Sequence, residues 1–513
     1  MQIRRNGRRR LIRAATATLS VVAIGPATAW GLSPVDTMAD GVSGSGYETV
    51  ALLSVGETVP RTRDSGQSYR MVGLPDGLGA IATGTGSSVY MSHEFTQSVT
   101  SNPVVDGKTY RGAIASRFKL DTEGNVVSGD LAFTKVYQND TFVGSIATTT
   151  NGTPAFARFC SGSLAGPAEG FSQPIYFANE ETDGPASFDP GGAQTVAIYN
   201  GQAHALSAMG RFSKENTLVW PNDGSRTAVM LMEDGPTTPD SQLWMYVGRK
   251  DPPAGSVLGA NGLLGGKLYV YVGTEGANSE AEVASGSVFG HWVHIPQARS
   301  MTDVELEAAA DAAGAFSFVR IEDGAFATTN RNDFYFVTTG GNAEAGNELG
   351  RAYHLRLNPQ NILNPARLDV VYNADTVVGD PLAPTGDIAL SPDNIDTNGD
   401  SLVIQEDGTS QSRAVFGLLG REAAIWRFDL EVGVRTRVDA SSATRIAELT
   451  PPGQDGIPVP IPGTWETSGI IDTADLFGAG SWLFDVQAHA PTTAPVPGTV
   501  EDGQLLLLRP ALT

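Results

Sequence analysis

The chain has 513 residues and a net charge of −22, with 56 acidic against 34 basic side chains. Such an excess of negative charge repels nucleic acid and anionic lipid and makes divalent cations natural companions. Gly (60) and Pro (30) are abundant, and a single cysteine, Cys160, excludes an intrachain disulfide and every cysteine-rich zinc arrangement.

Residues 1–29 carry six arginines and no acid, then an apolar stretch too short to span a bilayer, then the small-residue pattern Ala27-Thr28-Ala29. That order describes an export signal peptide, and Arg8-Arg9-Arg10-Leu11-Ile12-Arg13 within it fits the twin-arginine type. Residues 30–46 are read as a flexible lead and 47–513 as one catalytic domain. No cysteine follows the signal to carry a lipid, and the C-terminal LLLL is far too short for a membrane span. The product is expected to be periplasmic or extracellular, unanchored and monomeric.

From residue 47 onward, short apolar runs such as SSVYM, TAVMLM, KLYVYV, DFYFV and SLVIQ alternate with turn chemistry: DGLG at 76–79, DTEGN at 121–125, NDGS at 222–225, DTNGDS at 396–401. The pattern predicts an all-β protein of many short strands. One helix stands out over 302–313, where Thr302 and Glu305 form a capping box and Gly314 supplies the stop. The Pro-rich stretch 451–465 reads as a surface loop.

The apolar runs end repeatedly in acids. SSVYMSHE ends at Glu94, PIYFANEE at Glu181, TAVMLMED at Asp234, FSFVRIED at Glu322 and Asp323, SLVIQED at Asp407, and GSWLFDVQAH closes the series at His489. The intervals exceed the ~40–50 residues of an ordinary four-stranded blade. A six-bladed β-propeller with inserted loops accommodates them. In a propeller the inner strand of each blade faces one channel, so acids at equivalent strand ends converge into a ligand field for hard cations, several calcium ions above all.

Each constellation has a plainer alternative. For NEET (179–182) it is an exposed hairpin tip; because adjacent strand residues face opposite sides, only one of Glu180 and Glu181 can point down a channel, and Glu181 is chosen. GRFSKENT carries Lys214 and Glu215 on what could be a solvated turn. In VRIED, Arg320 and Glu322 share a strand face, either as an ion pair or as a metal ligand beside an arginine that clamps phosphate oxygens. Asn394, Asp396, Asn398 and Gly399 match the start of an EF-hand loop, but Gln405 stands where the bidentate glutamate belongs, so the segment reads as a hairpin turn. Glu466 precedes one strand, and Gln487 and His489 share a face of another. His291 and His294 fall on opposite faces and are discounted as a zinc pair. There is no G-x-S-x-G elbow and no phosphate-cradling Gly-rich loop.

In their order, SHEF near 93, FCSGSLAGPAEGFSQPIYFANEE at 159–181, GRFSKEN, MEDG, FVRIEDG followed by DFYFVTTGG, SPDNIDTNGDSLVIQEDG, WETSGI and LFDVQAHA resemble the PhoX-type alkaline phosphatase family. The resemblance implies a six-bladed propeller, exported by the twin-arginine route, whose axial site holds calcium with iron and removes phosphate from monoesters. It implies Glu181, Glu215, Asp234, Glu322 and Asp407 as metal ligands, Glu466 as a further one, and Arg320 as the phosphate clamp. Three positions depart from the pattern: Asn179 where the family has an iron-binding cysteine, Lys214 where it has histidine, and Ile321 where it has proline. Asn179 and Lys214 thereby enter the expected catalytic set, and an amide oxygen favours calcium over iron. Cys160 matches an earlier family position and is left outside the ligand set. The expected substrate is a phosphorylated small molecule. Two other readings stand beside this one: a non-catalytic, calcium-stabilised propeller that binds a surface partner or glycan, and a calcium-dependent lactonase or esterase.

Overall fold

The computed structural model describes residues 37–511, apart from 106, 223, 236–239, 252–254, 275, 381–382, 411–412, 432–436, 451–462 and 490–495. The expected export signal and most of the Pro-rich loop lie outside the described residues. Within the 30–46 lead, Ala39–Gly41 is a strand paired with Arg437–Leu449.

Antiparallel hairpins build sheets in chain order, innermost strand first. The first sheet comprises Pro75–Thr83, Gly86–His93, Ile114–Leu120 and Val126–Leu131; the second opens with Phe159–Ala165, Ile175–Glu180, Thr195–Tyr199 and Gly201–Ala205. Lys214–Val219, Arg226–Glu233, Leu243–Arg249 and Lys267–Val272 follow, then Ile321–Phe326, Asp333–Thr338, Arg351–Arg356 and Ala366–Asn373, with Gly286–His294 joining these two groups into one nine-stranded sheet. Next come Pro392–Thr397, Ser401–Glu406, Ala424–Glu431 and Arg437–Leu449. The last sheet takes Glu466–Asp472, Trp482–Ala488 and Asp502–Pro510, and Tyr47–Ser54 from the other end of the domain completes it.

Strands such as Asp333–Thr338 and Trp482–Ala488 are buried at every residue, because both faces of their sheets are covered. Ile175 and Phe177 of the second sheet, for example, meet Val229, Leu231 and Trp244 of the next in one apolar cluster. The six strands that open these groups touch one another in cyclic order, and residues from all six line a cavity of about 220 Å³ between them. The fold is therefore a nearly all-β propeller. Its one substantial helix, Asp303–Ala313, is capped by Thr302 and Glu305 reciprocally and ends at Gly314 with φ 72°.

One turn signal was misleading. DGLG at 76–79 lies inside the strand Pro75–Thr83 and is buried throughout. Its glycines serve close approach rather than reversal: a Cβ at Gly77 would fall 2.0 Å from the backbone nitrogen of Gly162 in the neighbouring inner strand.

Candidate metal centre

Five of the six inner strands carry the same irregularity near their first residue. The register against the second strand slips between Pro75 and Leu78, Phe159 and Gly162, Lys214 and Thr217, Ile321 and Gly324, and Pro392 and Ile395. Each slip inserts one extra residue on the inner strand, a β-bulge that re-aims side chains. The first residue inside each bulge is, in turn, Asp76, Cys160, Glu215, Glu322 and Asp393. All five can bind a cation.

The second strands run antiparallel to the inner ones, so they end where the inner strands begin, and the residues just past them join the same rim: Glu94, Glu181, Asp234 and Asp407. A left-handed residue fixes this junction in four sheets. Leu74, Arg158, Arg320 and Ser391, with φ of 47°, 43°, 56° and 40°, immediately precede their inner strands. Their carbonyls accept the backbone N–H of Glu94, Glu181, Thr339 and Asp407 respectively. Four non-glycine residues in this region, each strained by ~1–3 kcal/mol, are held by the surrounding fold, as is common at functional sites.

Three overlapping groups result, each with donor atoms within 4.8 Å of one another: Asp76, Glu94 and Cys160; Cys160, Glu181 and Glu215; Glu215, Asp234 and Glu322. Two like charges at that separation repel by about 3 kcal/mol even with an effective dielectric near 20. Burial, reinforced by neighbouring carboxylates, therefore holds Asp76, Glu181 and Glu322 well above the usual carboxylate range and Glu215 at about 7. Burial and the same carboxylates push the Cys160 thiol up, and its Sγ donates to Asp76 Oδ2 at 3.2 Å.

Two arginines reach into the acids. Arg320 donates from Nε and Nη2 to the two oxygens of Asp234, both at 3.0 Å, and lies 3.2 Å from Glu322 Oε1. Glu322 Oε1 is buried and makes no hydrogen bond. Arg158 spans Glu94 at 2.5 Å and Glu181 at 2.6 Å, with its side chain 41% exposed toward the opening. The acids still outnumber these two cations. A thiol and five carboxylates, one with a bare buried oxygen, fit metal ions: carboxylates suit calcium, and a thiolate adds affinity for a transition metal.

The remaining expected residues separate. Asp407 and Glu466 face each other across an isolated bridge on the far side of the rim. Asp407 accepts from Thr409, and Glu466 lies 3.5 Å from His489, whose other nitrogen is 2.9 Å from Glu501. Asn179 is fully buried one layer below the acids: its Nδ2 donates to the Ser161 carbonyl and Asn216 Oδ1, and its Oδ1 accepts from Thr217 Oγ1. Those bonds occupy the amide and leave no oxygen turned to the rim. Lys214 sits at the back of its strand, donating to the carbonyl of Gly210 at 3.0 Å and lying 3.2 Å from the centre of the Phe212 ring. Alternation along the strand explains this, since Glu215 takes the rim-facing position. Asp76, Arg158, Cys160 and Asp393 are the rim residues that sequence reasoning missed; their common signal is position, at or just before the start of an inner strand.

Residues 196–452 match the family described as Alkaline phosphatase PhoX. Among solved structures, that of Pseudomonas fluorescens PhoX in complex with vanadate, a transition state analogue, is similar at a TM-score of 0.63 and 14% identity, covering 92% of this chain and 96% of that one. The α-L-arabinofuranosidase Arb93A from Fusarium graminearum matches at a TM-score of 0.39 and 10% identity, over 89% of this chain and 97% of that one. No curated protein sequence matches.

Proposed function

The chain belongs to the PhoX alkaline phosphatase family, and from that premise we propose that it is an exported, metal-dependent phosphatase that hydrolyses phosphate monoesters at the rim of a six-bladed ring. The observation that carries the proposal is the convergence of Asp76, Glu94, Cys160, Glu181, Glu215, Asp234 and Glu322 within ligand reach, flanked by Arg158 and Arg320.

Calcium ions, with iron where Cys160 contributes its sulfur, would supply Lewis-acid charge toward the phosphate oxygens and toward an attacking water. Asp76, Glu94, Glu181, Glu215, Asp234 and Glu322 would hold those ions, with Asp393, Asp407 and Glu466 enlarging the acidic rim. The chain's own part is then positioning. Arg320 and Arg158, released from carboxylates that turn to the cations, present planar guanidinium groups to a phosphoryl group between them, and each can make paired hydrogen bonds to two oxygens. The partly exposed Arg158 holds the group as it arrives. Arg320, deeper and fixed by its strained backbone, meets the charge that grows on the phosphoryl oxygens during transfer. The twin-arginine pattern in residues 1–29 supports export, and among the described residues no helix is long and apolar enough to cross a membrane.

Purified protein loaded with calcium, with and without iron, should release phosphate from aryl and nucleotide monoesters, and chelation should abolish the release. A folded, metal-loaded protein that hydrolyses none of them would overturn the proposal. Metal analysis of Cys160→Ser should show calcium retained and iron reduced.

A further inference from the structure

A second charged site lies away from the rim, between the outer parts of the first two sheets. A cavity of about 340 Å³ is walled by Arg63, Arg117, Lys119 and Lys135, with Asp130 as the one acid among its lining residues. In a chain of net charge −22 this reverses the prevailing sign. Asp130 is already engaged: Arg61 bonds to one of its oxygens at 3.1 Å, and Arg63 lies 3.6 Å from the other.

The cations are arranged rather than scattered. Arg117 donates to Ser88 Oγ at 3.0 Å, and its guanidinium carbon lies 5.3 Å from the centre of the Tyr90 ring, so the group is held over an aromatic face. Arg63 donates to the Leu131 carbonyl, and at Gly201, whose φ is +75°, a Cβ would stand 3.2 Å from Arg63 Nη2. Among the described residues, Lys119 and Lys135 have no carboxylate partner. Uncompensated cations held around one concavity repel one another and are relieved by an anion.

We propose that this cavity is a non-catalytic oxyanion site that takes a doubly charged phosphate group, free or esterified. Two held guanidinium groups offer planar pairs of donors to phosphate oxygens, and two lysines add mobile charge. The volume leaves room for a small organic body beyond the phosphate. Lys119 pairs with Ser88, five residues from His93 at the rim end of the same strand, which sets the cavity roughly 17 Å along the sheet from the acids. Its ligand therefore does not depend on what the acids catalyse.

Calorimetric titration of the metal-loaded protein with inorganic phosphate, and separately with phenylphosphonate as an ester mimic that cannot be hydrolysed, tests the site. One binding event should persist in Arg320→Ala and weaken at least about tenfold in Lys119→Ala/Lys135→Ala. The latter variant should keep kcat within about twofold of the parent, and Lys119→Gln/Lys135→Gln serves if the alanine pair folds poorly. Phosphate alone, phosphonate alone, or both binding in this lysine-dependent way supports the site and identifies which form it takes. Unchanged titrations in a folded double variant, or no event that survives Arg320→Ala, would overturn it. Failure of the phosphatase reading would instead remove hydrolysis and leave the lysine-dependent event intact.

Discussion

The two arginines at the rim occupy equivalent positions and should nevertheless fail differently. Both are left-handed residues one step before an inner strand, and both bridge two acids. Arg320 is the deeper, with a side chain 24% exposed against 41% for Arg158. Replacing Arg320 by Ala should lower kcat by about 10²–10³-fold, the scale observed when one preorganised charge-stabilising donor is lost. Arg158→Ala should act mainly on KM, by about tenfold, because its contact is made with bound substrate as well as with the transition state. Steady-state kinetics at saturating calcium separate the two, and equal losses in kcat would refute the division. Lys214 serves as the contrast. Burial lowers its pKa well below the ordinary value, and its neighbours are the carbonyls of Gly210 and Ala193 together with Glu180 and Glu233. Lys214→Met should therefore leave kcat within about twofold and register in stability, since an activity read from the sequence alone would have credited it with chemistry.

At the scale of the strand, the paired acids of the second strands divide their work by alternation. Glu180 is the last residue of its strand and points back into the sheet, accepting the backbone N–H groups of Ala157, Phe188 and Gln194, while Glu181 turns to the rim. Glu233 repeats the inward role by accepting from Gln242 N and Trp244 Nε1, and Glu406 by pairing with Arg421 and accepting from Leu390 and Ala424. Glu180→Gln should thus cost about 1–3 kcal/mol of stability, because an amide cannot accept all three N–H groups, with metal content unchanged. Glu181→Gln should lower metal content and activity with little loss of thermal stability. Thermal unfolding and metal analysis on both variants decide it, and the reverse pattern would exchange the roles. The strand ends were legible in the sequence because a charge abruptly closes an apolar run, and the helix at 303–313 was legible because its caps are local chemistry. The bulges were not. A bulge is a relation between two strands, so nothing within LPDGLG or RFCSG marks Asp76 or Cys160 as rim residues, and Asp-Gly reads as a turn until its partner strand is known.

Across the whole molecule, acids drawn from residues 76 to 466 are confined to one rim, in a ring whose last sheet is completed by Tyr47–Ser54 pairing with Asp502–Pro510. Without cations that arrangement favours the protonated acids, which makes stability depend on pH in a defined sense. Burial and neighbouring carboxylates raise Glu215 and Glu466 from the ordinary 4.5 to about 7. A raised folded-state value means that the stabilising proton is fully in place below pH 4.5 and is lost as pH climbs through 7. His489 adds to the same trend. Glu466 and Glu501 raise it from 6.5 to about 10 against the opposing effect of burial, so its contribution is complete below 6.5 and declines toward 10. Chelated protein should therefore melt at progressively lower temperature between about pH 5 and 9. Calcium reverses the balance, because it binds the deprotonated carboxylates and its affinity rises over the interval in which the protons leave. With millimolar calcium the same series should flatten or rise, and the gap between the two curves should widen with pH. Melting curves recorded in both conditions across that range test the linkage, and a chelated protein whose melting temperature is constant or increases with pH would show that the rim acids are not held as a neutral cluster awaiting cations.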